Sequence, residues 1–374
     1  MNRIAALSLF LAVVVAGGAP PAFAQRSAAL QQLVEGARKE GQLDLMISSS
    51  VGGEQGAKEL TDAFKRRFGL ELRINADLAG QESQKFNQAV TEGKAGIPPT
   101  YDLMQGTDEN VLSLKEAGGV EPIANWESLL AEVAPEAAKV KEKISPHNLA
   151  GYGFLWSTRT AAILYNPKTI SEAELPKTWK QMGDPKYKAA FSVPPFTSLS
   201  LMGLLKYEKD ELLDIIRSWG RNKRDVLVYD AAAQRVMLGD LKFSYGNTDI
   251  YIEQKANDPG APLEVSFFED LTPRRNVMYL VRKGARRPNA AKLFALWVTG
   301  AEANAIIEKR NSIENLGLAR GPVSSKIVKI LERKNIKPAS WFDSPKTAEK
   351  FLWLGTDEGR KYSQAIARAQ REGK

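Results

Sequence analysis

The 374-residue chain predicts an α/β protein of two doubly wound lobes, with mostly parallel sheets carrying helices on both faces. Three observations lead there. Strand and helix patterns alternate β-α-β-α-β between Leu43 and Ala117. A second alternating unit begins at Thr178, after a long extended run and a polar linker. A chain of this length also exceeds the size at which one hydrophobic core stops growing, so it splits.

The elements follow in order. Leu43 to Ile47 is a short apolar strand. From Gly53 to Phe68, Ala57, Leu60, Phe64 and Phe68 recur at helical spacing, and Gly69 stops the helix. Leu70 to Ile74 reads as the next strand, Lys85 to Gly93 as a helix and Tyr101 to Met104 as a third strand. Asp108 to Ala117 is a third helix, closed by Gly118 and Gly119. Gly153 to Asn166 is one long strand, ended by Pro167. In the second unit Phe191 to Val193 is a strand, and a helical stretch starts at Leu199. Asp210 to Trp219 is helical, with Leu212, Leu213, Ile216 and Trp219 on one side. Phe243 to Tyr245 leads into Gly246-Asn247-Thr248-Asp249, Glu264 to Phe268 is extended, and Asn276 to Val281 is a strand. Helices are predicted at Ala290 to Val298, Ala301 to Glu308, Val323 to Lys334 and Gly359 to Glu372.

Residues 1–24 have the pattern of a secretory signal peptide. Arg3 precedes the apolar run Ile4 to Ala16, and Ala22-Phe23-Ala24 is a small-x-small cleavage site. The apolar run is shorter than the roughly 20 residues a bilayer demands. The mature protein is therefore expected from Gln25, exported and soluble. There are no cysteines, which excludes thiolate nucleophiles and Cys-ligated zinc. His147 is the single histidine, so neither a multi-His metal site nor a His acid/base pair can be built. A Ser-His-Asp hydrolase would depend on His147, and the chain contains no Gly-x-Ser-x-Gly elbow. The net charge of +8 is spread among interleaved acids, a mild bias toward anionic ligands without the motifs of nucleic-acid recognition.

In doubly wound sheets, ligands sit beyond the carboxyl ends of strands, where helices begin. Two turns reach that edge, Ser48 to Gly53 and Gly106-Thr107-Asp108. Free amides at helix starts attract anions, and glycines let backbone approach a ligand closely. Each turn alone reads equally well as a helix cap.

Several stretches carry a resemblance. ALQQLVEGARKEGQLDLMISSS, with its Lys39-Glu40-Gly41 turn, resembles the mature start of periplasmic solute-binding proteins of ABC importers, in the branch that includes ferric-iron binders. YDLMQGTDENVLSLKEAGGVEPI, with Ala117, Gly118 and Pro122, is similar to their next strand-turn-helix. STRTAAILYNPKTI, ending in Tyr165 and Asn166, resembles the strand that crosses between lobes. FEDLTPRRNVMYLVRKGARRPNAAKLFALWVTGAEANAII resembles the return crossing, with Pro288 to Phe294 ahead of a helix-turn-helix. The similarity spans roughly residues 28 to 310. It implies the type II periplasmic binding fold: two lobes joined by a two-strand hinge, a ligand in the interlobe cleft, and an inner-membrane ABC permease that reads the closed form. The expected division is 1–24 signal peptide, 25–160 first part of lobe 1, 161–270 lobe 2, 271–315 return to lobe 1, and 316–374 a C-terminal helical segment on the lobes. The expected protein is a periplasmic monomer without cofactor, and not an enzyme.

The expected ligand is a small organic anion: a phosphonate, phosphate ester or carboxylate. Hydroxyl and amide donors at turns would hold it, from Ser48, Ser49, Ser50, Thr107, Thr197, Ser198 and Asn247. Arg159 or Arg274 adds a forked cation near the crossings, and Trp156 and Tyr245 could stack on the ligand. Asp108 and Asp249 could instead pair an ammonium group, which keeps a zwitterion or polyamine-like cation open. The resemblance also raises ferric iron, which members of the branch hold with two adjacent tyrosines. Here the matching place holds Tyr245 and Tyr251, six residues apart with no Tyr-Tyr pair.

Overall fold

The computed structural model describes residues 27–78, 82–310, 314–318 and 321–371. The expected signal peptide lies outside them. Among the described residues, nine strands make up the sheets: β1 (Gln42–Ile47), β2 (Arg73–Leu78), β3 (Leu103–Thr107), β4 (Phe154–Tyr165), β5 (Phe191–Val193), β6 (Asp225–Val226), β7 (Phe243–Asn247), β8 (Glu264–Ser266) and β9 (Arg274–Val281). Their order is β2-β1-β3-β9-β4-β7-β5-β6, with β8 also on β4.

The order divides at β4. Its first half pairs with β9 from Phe154 to Thr160, and its second half pairs with β7 from Ala161 to Tyr165. One 12-residue strand thus belongs to both lobes. The sheets are mixed rather than mostly parallel. Among the described residues β1–β2, β1–β3, β5–β6 and β5–β7 run parallel, while every pair made by β4 or β9 is antiparallel. The reason is topological: a chain that crosses to the other lobe and returns enters each sheet from the opposite end.

Lobe 1 forms around β1, whose Leu43, Leu45, Met46 and Ile47 are wholly buried because helices cover both sheet faces. The helix Gly53–Phe68 buries Ala57, Leu60, Phe64 and Phe68, and Gly69 ends it in the left-handed conformation (φ 65°). Phe64 meets Phe294 of the helix Pro288–Trp297 edge-on at 5.1 Å. β2 begins three residues later than the Leu70/Leu72/Ile74 alternation suggests. Leu70 and Leu72 are buried in the lead-in, and the paired stretch is a largely exposed edge strand with little apolar signal. Lobe 2 has an aromatic core in which Trp179 and Trp219 lie 4.9 Å apart, flanked by Tyr245 and Phe268. The helix Pro322–Arg333 packs Ile327 and Leu331 against Leu164, Val236 and Ile252 of this lobe, and the helix Asp357–Arg371 packs along Lys209–Asn222.

Candidate functional site

β1 ends at Ile47, and the next residue, Ser48, is buried and accepts a hydrogen bond from the Ser50 amide at 3.1 Å. That contact starts a tight turn over Ser49–Val51. Gly52 (φ 96°) and Gly53 (φ 64°) then turn the chain through the left-handed region into the next helix. Gly56 lets the turn sit on that helix, since a Cβ there would stand 1.8 Å from the Val51 carbonyl oxygen.

Ser49, Ser50, Gly52 and Gly53 form the lobe 1 wall of a cavity of about 450 Å³. The opposite wall belongs to lobe 2, where Asp249, Glu253, Ala256 and Asn257 present one face of the helix Thr248–Asn257. Arg310 completes the lining. Glu59 holds it at 2.7 and 3.0 Å, and Gln55 at 3.2 Å.

Next to this cavity, through Asp249, stand two charged residues of the crossing strands that do not themselves line it. Arg159 on β4 and Arg275 on β9 are direct cross-strand partners, so their side chains leave the same face. Each is compensated from a different lobe. The Arg275 guanidinium donates to Glu109 of lobe 1 at 2.9 Å, and Arg159 Nε stands 3.6 Å from Asp249 of lobe 2. Burial alone would weaken the Arg275 charge, but Glu109 and Asp108 reverse this and hold it more firmly cationic. Burial raises the Asp249 carboxyl against the opposing pull of Arg159. Burial also raises Glu253, with Asp230 and Asp249 adding to it. The Tyr229 hydroxyl is raised by burial too, and the charges it feels are Arg275, Asp249 and Arg159.

The expected residues separate into groups. The structure brings Ser49, Ser50 and Asp249 together on the cavity wall, with Arg159 behind Asp249 at 3.6 Å and outside the lining. Ser48 lies beneath the turn as its cap. Thr107 caps the helix Asp108–Glu116 in a reciprocal pair with Asn110. Asp108 is buried and accepts from Asn276 Nδ2 and Ser340 Oγ, each at 3.0 Å, which ties lobe 1 to β9 and the C-terminal segment. Burial, then Glu109, pushes its carboxyl up to about 7. Trp156 is buried against Tyr279, with ring centres 5.5 Å apart. Thr197 and Ser198 open the short helix Ser198–Leu201 without lining the cavity. Asn247 is buried just ahead of Asp249, and its Oδ1 has no partner among the described residues.

Three expectations are displaced. Tyr245 is buried among Trp179, Trp219 and Phe268, because alternation along β7 points it into the lobe 2 core. Tyr251 is buried beside the helix Pro322–Arg333, where its hydroxyl accepts from Lys326 Nζ at 2.5 Å. Arg274 pairs with Asp343 at 2.9 Å, and its neighbour Arg275 takes the place beside Arg159. β9 starts two residues earlier than its apolar run, and one residue of register decides which arginine faces Arg159. Sequence reasoning missed Arg275, Glu253, Asn257 and Arg310. The i, i+4 spacing of Asp249 and Glu253 was a readable signal once the helix was placed. Arg310 had no such cue.

Comparison with known proteins agrees with this architecture. Residues 59–311 match the family described as bacterial extracellular solute-binding protein. The chain belongs to that family, and its class is the solute-binding component of an ABC importer. It is 23% identical over 280 residues to the Fe(3+)-binding periplasmic protein of Serratia marcescens, covering 71% of this chain and 77% of that protein. The structure of iron-bound HitA from Pseudomonas aeruginosa aligns with a TM-score of 0.63 at 18% identity, covering 88% of this chain and 99% of that one. The spermidine/putrescine ABC transporter substrate-binding protein PotD from Streptococcus pneumoniae aligns at 0.61 and 14% identity, covering 86% and 99%. Members of the family are transport proteins rather than enzymes, and they work with an ABC permease. Among the described residues, no helix is long and apolar enough to cross a membrane.

Proposed function

We propose that this protein captures a small organic solute through an anionic group, a carboxylate, phosphonate or phosphate ester, and delivers it to its permease. The observation that carries this reading is the pair Arg159 and Arg275, side by side on the two crossing strands that join the lobes. Like charges directly opposite each other on a sheet are destabilising. Such a pair is useful where an anion arrives between them. Among the described residues Arg159 makes one loose ionic contact and no hydrogen bond, so its planar fork is free for bidentate recognition. The serine-glycine turn of lobe 1 adds first-turn amides with no partner in their own helix. Ferric iron is the weaker reading, because Tyr245 and Tyr251 are both occupied away from the cavity.

The test is a thermal-shift panel of carboxylates, phosphonates, phosphate esters and ferric citrate, followed by calorimetry on the hits. An organic anion is expected to raise Tm. Arg159→Ala should weaken it about 30-fold or more, since a charge-assisted hydrogen bond is worth about 2 kcal/mol. A rise with ferric citrate alone, or unchanged affinity in Arg159→Ala, overturns the reading. We also propose export through cleavage near Gln25 and action as a monomer. Intact mass of the periplasmic protein and light scattering check these two points.

A further inference from the structure

The cavity is not uniformly suited to an anion. Arg310 is already neutralised by Glu59. What remains on the lobe 2 wall is Asp249 and Glu253, one helical turn apart on the same face, with Asp230 close enough to influence Glu253. Glu253 makes no ion pair or hydrogen bond among the described residues. Arg159 touches Asp249 only at 3.6 Å, through Nε. A purely anionic solute seated on Arg159 would therefore lie against two carboxylates, one of which has just lost its partial counter-charge.

A second observation points the same way. Asn247, 6% exposed, precedes this helix, and its Oδ1 is an acceptor without a donor among the described residues. Its side chain adjoins the Tyr229 hydroxyl, the group influenced by Arg159, Arg275 and Asp249. A buried acceptor is costly unless a donor arrives; Asn247 does not line the cavity but stands beside the arginine pair, where a solute N–H group would supply one.

Resting on the anion reading, we infer that the solute is an amino-bearing organic acid: its anionic group lies on Arg159 and Arg275, and its ammonium group lies between Asp249 and Glu253 of the facing lobe. Each lobe boundary then receives its own charge. Closure also brings the lobe 2 carboxylates onto the ammonium, so one molecule is gripped from both sides. A simple anion engages the arginine pair alone, and a simple polyamine engages the wall alone.

The experiment uses matched pairs that differ only in the amine: phosphoethanolamine with ethyl phosphate, and 4-aminobutyrate with butyrate. Calorimetry is run on the full mature chain and on Glu253→Gln, an exposed helix position whose change leaves the fold intact. The amino member of at least one pair is expected to bind about tenfold tighter or better. In Glu253→Gln that advantage should shrink several-fold while the amine-free member keeps its affinity. Equal binding of both members, or a Glu253→Gln effect of the same size on both, overturns the amine inference and leaves the anion reading standing. Binding by neither member of any pair, together with a silent anion panel, overturns the anion reading and this inference with it.

Discussion

Glu314 offers a sharp test of how the lobes are held together. It is fully buried where the returning chain meets β4. Its Oε1 accepts from the hydroxyls of Thr160 at 2.5 Å and Thr158 at 3.2 Å, and the Thr248 hydroxyl also bonds the carboxyl. Its Oε2 has no partner among the described residues. Burial is the main cause that pushes this carboxyl from 4.5 up to about 7. The threonine hydroxyls resist the rise and neighbouring Asp249 adds to it. The sign follows directly. Between pH 4.5 and about 7 the native state keeps a proton that the unfolded chain has released, so stability falls as pH rises. The full deficit, about 3 kcal/mol, is reached above pH 7 and is absent below pH 4.5. Glu314→Gln keeps an acceptor for the threonines and cannot ionise. At pH 8 the variant is expected to be more stable than the parent by about 3 kcal/mol, because the deficit already includes the threonine hydrogen bonds to the carboxylate. At pH 5 it should be equal or slightly weaker. Urea unfolding, followed by tryptophan fluorescence from pH 5 to 8, measures the difference. Asp108 tilts both proteins equally, so subtraction isolates Glu314. Parallel pH profiles for parent and variant would refute the reasoning.

Two further outcomes are expected. Arg282 is buried, donates to Glu92, Gly119 O and Ala89 O at 3.0–3.1 Å, and leaves a buried carboxylate without its counter-charge when removed, so Arg282→Ala should cost about 3–5 kcal/mol and lower Tm in calorimetry by roughly 5 °C. Ser48→Ala should cost about 1 kcal/mol of stability without changing ligand affinity, whereas Ser49→Ala, on the cavity wall, should do the reverse; a loss of affinity confined to Ser48→Ala contradicts the division.

Much of the fold was legible because periodic burial writes itself into composition. The helix Gly53–Phe68 and the strand Phe191–Val193 stand where the apolar spacing puts them. The long run Gly153 to Asn166 emerges as β4, trimmed by one residue at each end. β2 slipped because an exposed edge strand carries little apolar signal. At the site, the serine turn and Asp249 were visible as strand-to-helix junctions. Arg275 was not, since Arg274 and Arg275 are chemically identical neighbours that only strand register separates. Tyr245 and Trp156 were drawn to the site by their chemistry, yet large aromatic side chains in strands are more often the filling of a lobe. Arg310 follows a helix whose packing on Gly53–Phe68 is purely tertiary, so no local pattern announces it.

The undivided strand β4 has a consequence for anyone wishing to dissect the molecule. At 12 residues, some 40 Å of backbone, it is the selvedge of both fabrics at once. A cut between Thr160 and Ala161 would leave β3 and Phe154–Thr160 in one fragment and β9 in the other, baring the hydrogen-bonding edges of β3, β9 and the first half of β4. Such open edges recruit foreign strands. Fragments expressed apart should therefore clump rather than stand alone, and only when made together should they recover a soluble, paired form.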